Sequence, residues 1–224
     1  MTRIVAIDGP SGAGKSTIGH ALAARIDATY VDTGLMYRAL TLAAVERGIS
    51  VDDGPLLGFL AGESRIEVER ARPEQTDRLE TVHLDGRDVT GDVRQPRIDR
   101  AVSAVSRHAA VRTAMLEVQR AAAARGDTVM VGRDIGTVVL PNATLKVYLT
   151  ANAHVRAARR AAEMNAPQRL PEYLAEIERR DAADSGRSIA PLRKAQGALV
   201  LDTGRLSVDA CVDAIAARLD ELPE

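Results

Sequence analysis

A glycine-rich segment near the start of the chain has the residue types and spacing needed to hold phosphate groups. Gly9-Pro10-Ser11-Gly12-Ala13-Gly14-Lys15-Ser16 matches the pattern G-x-x-x-x-G-K-S/T. Its glycines allow backbone N–H groups to turn inward and form an anion-binding nest, to which a following helix adds its positive N-terminal end. We therefore expect residues 9–17, including Thr17, to bind ATP. Within them, Lys15 is expected to reach the β- and γ-phosphates, and the Ser16 hydroxyl to ligate Mg²⁺.

Several classes of P-loop protein are disfavoured by the rest of the sequence. A small GTPase carries Asn-Lys-x-Asp to read guanine, and none of the three lysines here (Lys15, Lys146 and Lys194) follows an asparagine. A motor ATPase has an apolar strand ending in Asp, whereas the apolar run that ends at Gly132 is followed by Arg133 before Asp134. A phosphotransferase that acts on a small acceptor remains the best interpretation.

Alternating apolar and amphipathic segments indicate how these residues are positioned. Predicted strands cover 3–8, 29–32, 128–132, 144–149 and 198–202. Predicted helices cover 15–26, 35–47, 109–125, 153–164, 171–181 and 208–219. The strands lack polar alternation, which is typical of strands buried on both faces, and their alternation with helices predicts a parallel α/β sheet. Ligands of such sheets bind at the carboxyl ends of the strands.

Two polar stretches interrupt this alternation. Residues 63–94 contain strand-like pieces around an Asp85-Gly86 turn signal, which predicts a small antiparallel insert. Residues 156–187 are dense in arginine and lie between the fourth and fifth predicted strands. The remaining segments, 1–62, 95–155 and 188–224, are assigned to the core domain.

Composition limits the remaining possibilities. The 224 residues are 46% hydrophobic but only 2% aromatic, so the core must be aliphatic, and binding to a nucleic acid polymer through stacked aromatics is disfavoured. A single cysteine excludes an internal disulfide, and no apolar run reaches the ~20 residues of a membrane span. We expect a cytoplasmic protein with no membrane association. A monomer is expected because moving segments need room.

Four phrases resemble the bacterial cytidylate kinase family, and the resemblance covers nearly the whole chain. They are residues 7–15, residues 32–38 (DTGLMYR), residues 132–139 (GRDIGTVV), and Arg179-Arg180-Asp181 continuing to Leu192. The resemblance implies a P-loop three-layer α/β fold with a five-stranded parallel sheet, an antiparallel β insert for the acceptor nucleotide (63–94) and a short helical lid (156–187). It also implies transfer of the γ-phosphoryl group of ATP to CMP or dCMP.

The resemblance assigns roles to acceptor-binding residues. Arg38 and Arg133 match the arginines that hold the acceptor phosphate, Thr33 matches a hydroxyl on the same phosphate, and Tyr37 packs beside the nucleotide. Without the family phrase, Arg38 would be interpreted as a solvated helix residue. Gly136 and Thr137 belong to the phrase after the third strand and are included in the substrate-binding set.

Cytosine recognition requires an acceptor facing N4 and donors facing N3 and O2. By the resemblance, Asp134 fits the first role, and Ser103 and Arg112, which are nine residues apart as in the family, fit the second. Uracil would place its O4 against the carboxylate, so CMP is expected to be preferred over UMP. For Ser103, an ordinary helix serine is the competing interpretation.

The ribose and the transferring phosphoryl group have their own candidates. Arg180 and Asp184 match the ribose contacts of the family, although their spacing also suits a surface ion pair. Arg156, Arg160 and Arg187 are expected to approach the transferring phosphoryl group when the lid closes. Arg159 and Arg169 are interpreted as solvated. Asp32 is a further metal candidate, acting through a water on Mg²⁺.

Two alternatives stay open from the sequence. The first is another small-acceptor kinase, such as adenylate or shikimate kinase. It would share the P-loop, but the 63–94 insert argues against it. A non-catalytic nucleotide- or RNA-binding module would bind ATP without transferring phosphate. The four histidines, His20, His83, His108 and His154, are scattered along the chain and suggest no metal site.

Overall fold

The structure, a computed structural model, describes residues 2–71, 74–75 and 78–222. Eight strands lie within these residues: β1 Ile4–Asp8, β2 Thr29–Asp32, β3 Ile66–Arg70, β4 Glu80–Leu84, β5 Arg87–Asp88, β6 Thr128–Gly132, β7 Leu145–Thr150 and β8 Leu199–Asp202. Five of them form a parallel sheet in the order β2-β6-β1-β7-β8, flanked by helices. This confirms the predicted parallel α/β fold.

Eight α-helices occur in the described residues: α1 Lys15–Arg25, α2 Thr33–Glu46, α3 Gly54–Glu63, α4 Pro96–Val105, α5 Ala109–Ala123, α6 Ala153–Glu163, α7 Leu170–Ser185 and α8 Val208–Asp220. A single π-helical turn, Ile135–Val139, follows β6. Short 3₁₀ turns lie at Asp92–Arg94 and Pro167–Arg169.

The described residues divide into two compact units. The first comprises the described parts of Met1–Ala28 and Asp127–Glu224, and the second comprises Thr29–Gly126. The boundaries predicted for the insert (63–94) and the lid (156–187) stay predictions. In the described part of the chain, no helix is both long and apolar enough to cross a membrane.

The core of the first unit is built on β1, which lies between β6 and β7. Val5, Ala6 and Ile7 are completely buried, as expected for a central strand covered on both faces. The parallel register places Asp8 opposite both Gly132 of β6 and Tyr148 of β7. The segments that follow β1 and β6 therefore emerge together at the carboxyl edge of the sheet.

Helices α6 and α7 pack against each other in the first unit. Ala157 and Ala161 of α6 form a buried cluster with Tyr173 and Ile177 of α7. The small alanines let the two helices approach closely, so this pair is a packed hairpin with its own apolar seam.

The second unit contains a three-stranded antiparallel sheet, β3-β4-β5. Asp85 and Gly86 both have positive φ, 52° and 83°, which is the geometry of a type I′ hairpin turn between β4 and β5. The predicted antiparallel sheet and its turn are confirmed.

Two helices, α3 and α4, and the π-helical turn were not predicted from the sequence. Helix α3 contains Gly54, Gly58, Gly62 and Pro55, which lower helix propensity, but Asp53 caps its start by accepting from the Leu56 N–H. Helix α4 has clear signals that the prediction overlooked, since Pro96 occupies its first position and its buried residues fall on one stripe.

Candidate active site

The phosphate-binding loop lies between β1 and α1, as its pattern predicts. Gly9 sits so close to β7 that a Cβ atom there would lie 2.4 Å from the Leu149 carbonyl oxygen, so no other residue fits. The Lys15 ammonium is buried and donates to the Pro10 carbonyl at 2.7 Å, folding back over its own loop. Ser16 and Thr17 are exposed in the first turn of α1, where their hydroxyls are accessible to a ligand.

Arg156, at the start of α6, anchors the phosphate-binding loop. Its guanidinium donates to the carbonyls of Ala151 and Ser11, both at 2.9 Å, and to the Asp181 carboxylate of α7 at 2.6 Å. The side chain is only 5% exposed. One buried arginine therefore joins the loop, the end of β7 and α7, using the fork geometry that lysine lacks.

Arg159 supports the same loop indirectly. It donates to the hydroxyl and the carbonyl of Thr203, at 3.1 and 2.6 Å, and the Thr203 hydroxyl lies 3.1 Å from the Ala13 carbonyl. The interpretation of Arg159 as a solvated residue was therefore wrong. Helical spacing cannot reveal that the segment after β8 folds back under the loop. Arg169, in contrast, is half exposed and pairs with Glu172, its neighbour three residues along the chain.

A buried carboxylate joins two of the predicted phosphate-binding arginines. Asp184 of α7 accepts from Arg133 at 2.8 Å and from Arg187, and its side chain is 5% exposed. Burial raises the pKa of Asp184, but the attraction of Arg133 and Arg187 outweighs it and leaves the pKa below its usual value. The two guanidinium groups are thus held in place by one ionised carboxylate.

The segment after β6 carries Arg133 and Asp134 into the π-helical turn. Asp134 is buried, and its carbonyl accepts from the Val138 and Val139 N–H groups. The Thr137 hydroxyl is buried and has no hydrogen-bond partner among the described residues. The turn is fixed at its start by Asp8, whose carboxylate accepts from Ile135 and Gly136 at 2.7 and 2.8 Å.

Arg160 lies near the surface of the first unit, whereas Arg180 is half-buried. Arg160 is 42% exposed and lies 3.5 Å from Glu163. Arg180 and Asp184 both belong to α7, four residues apart on one face, as predicted. The carboxylate of Asp184 bonds Arg133 and Arg187.

In the second unit, α2 positions the residues of the Asp-Thr-Gly-x-x-Tyr-Arg phrase. Asp32 caps this helix by accepting from the Gly34 and Leu35 N–H groups, and its other oxygen accepts from Tyr30. Thr33 is buried in the first turn. Since both oxygens of Asp32 have structural partners, the carboxylate fits a capping role better than a metal site.

Arg38 is held by two groups of the second unit. It donates to the Val93 carbonyl at 3.1 Å and to the Asp99 carboxylate of α4. Its side chain is 18% exposed, so it is a fixed cation and not the solvated residue that its helix position alone suggests.

Tyr37 and Arg112 are brought together by the packing of the second unit. The Arg112 guanidinium carbon lies 5.6 Å from the centre of the Tyr37 ring, within cation–π range. Arg112 also donates to the Ser106 carbonyl at the end of α4, the helix that carries the half-buried Ser103. Two of the predicted acceptor residues are thus in contact, and the third lies on a neighbouring helix.

Comparison with known proteins decides the family. The cytidylate kinase family model matches residues 5–221. The chain belongs to the cytidylate kinase family. It is 46% identical to a cytidylate kinase of Exiguobacterium sibiricum and 44% identical to one of a Geobacillus species, covering 97–98% of this chain and 96% of each relative. The resemblance found in the four sequence phrases is confirmed.

A solved structure shares the fold of this cytidylate kinase family member at low identity. An uncharacterised protein from Eubacterium ventriosum has a TM-score of 0.53, with 13% identity over 98% of this chain and 99% of that one. This likeness supports the fold and carries no information about the acceptor.

Four residues near the predicted site were missed by the sequence reasoning. Asp8, Asp181 and Asp99 hold backbone or arginine groups of the site, and Tyr148 lies opposite Asp8 in the β1–β7 register. Burial raises the pKa of Tyr148, and the charges of Asp181 and Asp8 raise it further. Asp8 had a signal, since it ends the apolar strand before the loop. Asp181 also had one, since it belongs to the Arg179-Arg180-Asp181 phrase, whereas Asp99 has none without the tertiary contacts.

The described residues contain no cluster of three or more histidine, cysteine or acidic side chains that could hold a metal ion. The Ser16 hydroxyl, which is exposed one residue after the loop lysine, stays the predicted Mg²⁺ ligand.

Proposed function

We propose that the protein transfers the γ-phosphoryl group of ATP to the 5′-phosphate of CMP or dCMP, giving ADP and CDP or dCDP. The observation that carries this proposal is the match of residues 5–221 to the cytidylate kinase family, together with a phosphate-binding loop built at the carboxyl end of β1.

The donor site uses the loop and the start of α1. Backbone N–H groups of the loop from Gly9 to Gly14, other than Pro10, cradle the phosphates, and Lys15 leaves the Pro10 carbonyl to contact the β- and γ-phosphates. Ser16 and Thr17 face the same ligand from the first helical turn. Ser16 would hold Mg²⁺, which would supply charge neutralisation at the phosphate oxygens. Asp32 is retained only as a candidate that holds a metal-bound water.

The acceptor phosphate is held by Arg38 and Arg133, and Thr33, Gly136 and Thr137 make further contacts with the acceptor. Both arginines are already fixed by carboxylates, Asp99 and Asp184, which limits the rotamer entropy lost on binding. Such positioning contributes most of the catalysis in phosphoryl transfer.

Cytosine is read by Asp134, Ser103 and Arg112, and Tyr37 supports Arg112 through its ring. The carboxylate of Asp134 accepts from cytosine N4, and the other two side chains donate to N3 and O2. UMP would set O4 against a buried carboxylate, which supports a strong preference for CMP.

The ribose and lid residues complete the proposal. Arg180 and Asp184 contact the sugar, while Arg160 and Arg187 approach the transferring phosphoryl group. Arg156 acts from a fixed position, because its three hydrogen bonds set the shape of the loop at Ser11. The lid (156–187) closes about its fixed first residue, Arg156, and the insert (63–94) moves as well, which excludes water.

In the reaction, an oxygen of the CMP phosphate forms a bond to the γ-phosphorus as the bond to the ADP oxygen breaks. The attacking oxygen is already anionic near neutral pH, so no side chain is required as a general base. Lys15, Arg133, Arg156, Arg160 and Arg187 are the proposed groups that offset the developing charge. We further propose that the protein acts in the cytoplasm as a monomer, which size-exclusion chromatography with light scattering tests.

A panel of acceptors tests the function. The purified protein is mixed with ATP and Mg²⁺ and, in turn, with CMP, dCMP, UMP, AMP, GMP and shikimate, and ADP release is followed. Fast turnover with CMP and dCMP and slow turnover with UMP is the expected result. A different preferred acceptor would refute the cytosine site but leave a kinase. ATP binding with no turnover on any acceptor would favour the binding-module alternative.

A further inference from the structure

Asp8 is a buried carboxylate with no role in the steps above. It ends β1, directly before Gly9 of the phosphate-binding loop, and is 2% exposed. Its two oxygens accept from two successive backbone N–H groups, those of Ile135 and Gly136, at 2.7 and 2.8 Å. Both oxygens therefore accept hydrogen bonds. An ionised carboxylate has two acceptor oxygens, whereas an amide has only one.

The two N–H groups belong to the first turn of the π-helical segment Ile135–Val139, where backbone donors have no partner within the helix. On the other side, β6 holds Gly132 in register with Asp8. Arg133 and Asp134 lie between these two fixed points. Their backbone is therefore pinned at Gly132 by the sheet and at Ile135 and Gly136 by the carboxylate.

The charge of Asp8 is kept in an unfavourable environment. Burial is the largest influence and, with the nearby charge of Asp134, raises the pKa of Asp8 to about 6, although the two N–H groups and the charge of Lys15 act in the opposite direction. Most residues that are only structural avoid such a burial cost, and strained or costly groups concentrate at functional sites.

We infer that Asp8 is a positioning residue for acceptor recognition: its carboxylate sets the backbone of the turn that aims Arg133 and Asp134 at the acceptor nucleotide. This inference rests on the proposed function, since those two residues are its acceptor contacts. Although Asp8 adjoins the donor loop in sequence, its hydrogen bonds go to the other segment. Its loss should therefore affect CMP far more than ATP.

The test uses Asp8→Asn, which keeps the shape but sets an NH₂ group against one of the two N–H groups. We expect the KM for CMP to rise about 10- to 100-fold, because a displacement of Arg133 and Asp134 by about 1 Å can cost this much. The ratio of kcat/KM for CMP to that for UMP should fall as well. The KM for ATP should change less than about threefold, because sites that share no partners influence each other only weakly. Calorimetric binding of CMP and of an ATP analogue gives the same comparison without turnover.

Asp127→Asn is the matched control. Asp127, just before β6, also accepts from a backbone N–H, that of Arg3 at 2.8 Å, but at the opposite edge of the sheet. The Asp127→Asn variant should leave the KM for ATP, the KM for CMP and the preference for CMP over UMP unchanged. A double variant, Asp8→Asn with Asp134→Ala, should lose no more CMP preference than Asp134→Ala alone.

The outcomes separate this inference from the proposed function. Absence of CMP turnover in the wild-type protein would refute the function itself. Normal wild-type turnover, with Asp8→Asn keeping its KM for CMP and its CMP preference, would refute only the positioning role. Equal losses for ATP and CMP would also overturn it, as would failure of both Asp8→Asn and Asp8→Glu to fold beside a folded Asp127→Asn.

Discussion

Arg156 and Arg160 lie one turn apart on α6, yet their surroundings differ almost completely. Arg156 is 5% exposed and makes three hydrogen bonds that reach the phosphate-binding loop and α7, whereas Arg160 is 42% exposed beside Glu163. We call Arg133, Arg156 and Arg187 the inner arginines, because each bonds a carboxylate of α7. Arg160 and Arg169 are the outer arginines, paired within their own helix turns.

The comparison of the inner and outer arginines separates charges that are fixed from charges that can move. The inner arginines are held by Asp181 and Asp184, so their positive charge is in place before a nucleotide arrives and costs little reorganisation. The outer arginines have solvated, weak pairs that can be exchanged for a phosphate at little cost. We therefore expect the inner set to contribute to stability and to the site. Of the outer set, we expect only Arg160 to contribute, by moving to the transferring phosphoryl group.

Arg156→Lys tests the inner set most severely. Lysine cannot reach two carbonyls and a carboxylate together, so buried groups lose partners. We expect the free energy of unfolding to fall by about 3 kcal/mol, the scale for breaking a buried pair. Urea denaturation measures this value, with Arg160→Lys as the matched control in the same helix. Equal losses in both variants would remove the distinction between the two sets.

Asp8 offers a contrast with Asp184, since it is as deeply buried but takes its hydrogen bonds from backbone groups and not from arginines. Its pKa is raised from 3.8 to about 6, so between these values the folded state binds more protons than the unfolded chain. Stability should then fall as pH rises through this window, by about 3 kcal/mol in total. Asp8→Asn should abolish this fall in urea titrations made from pH 4 to 7. An identical fall in the variant would assign it to another group.

Arg133→Gln tests whether an inner arginine controls the ionisation of Asp184. The pKa of Asp184 is lowered in the folded protein, so its contribution to stability is present above the unfolded value and is lost as pH falls. Removing Arg133 should raise this pKa and lower the free energy of unfolding by about 2 kcal/mol near neutral pH. Carboxyl NMR titration follows the pKa directly. An unchanged pKa would show that Arg187 alone holds the carboxylate.

Arg160→Gln is expected to have the smallest effect on stability, within about 0.5 kcal/mol, because an exposed pair contributes little. If Arg160 moves to the transferring phosphoryl group, kcat should nevertheless fall by about 100-fold, the scale for one transition-state donor. Arg169→Gln, with the same type of exposed pair, should change neither quantity. Equal kcat values for both variants would place Arg160 with the solvated residues.

The sequence by itself determined the phosphate-binding loop, the five parallel strands and the family. Residues 9–16 act through backbone and local spacing, and a buried central strand such as β1 must be apolar wherever it lies. The Asp85-Gly86 turn was predictable for the same reason, since only a few residues adopt its positive φ angles. These features depend on short-range chemistry.

Tertiary structure decided which polar residues meet and which weak helix forms. Helix α3 is stable despite its glycines because Gly58 lets α5 approach so closely that a Cβ there would lie 2.4 Å from that of Ala110. The bonds from the Gly136 N–H to Asp8 and from Arg156 to Asp181 join residues 128 and 25 positions apart. Contacts over such separations are set by how strands and helices pack. Spacing along the chain therefore could not tell Arg156, a buried anchor, from Arg160, a surface residue one turn away.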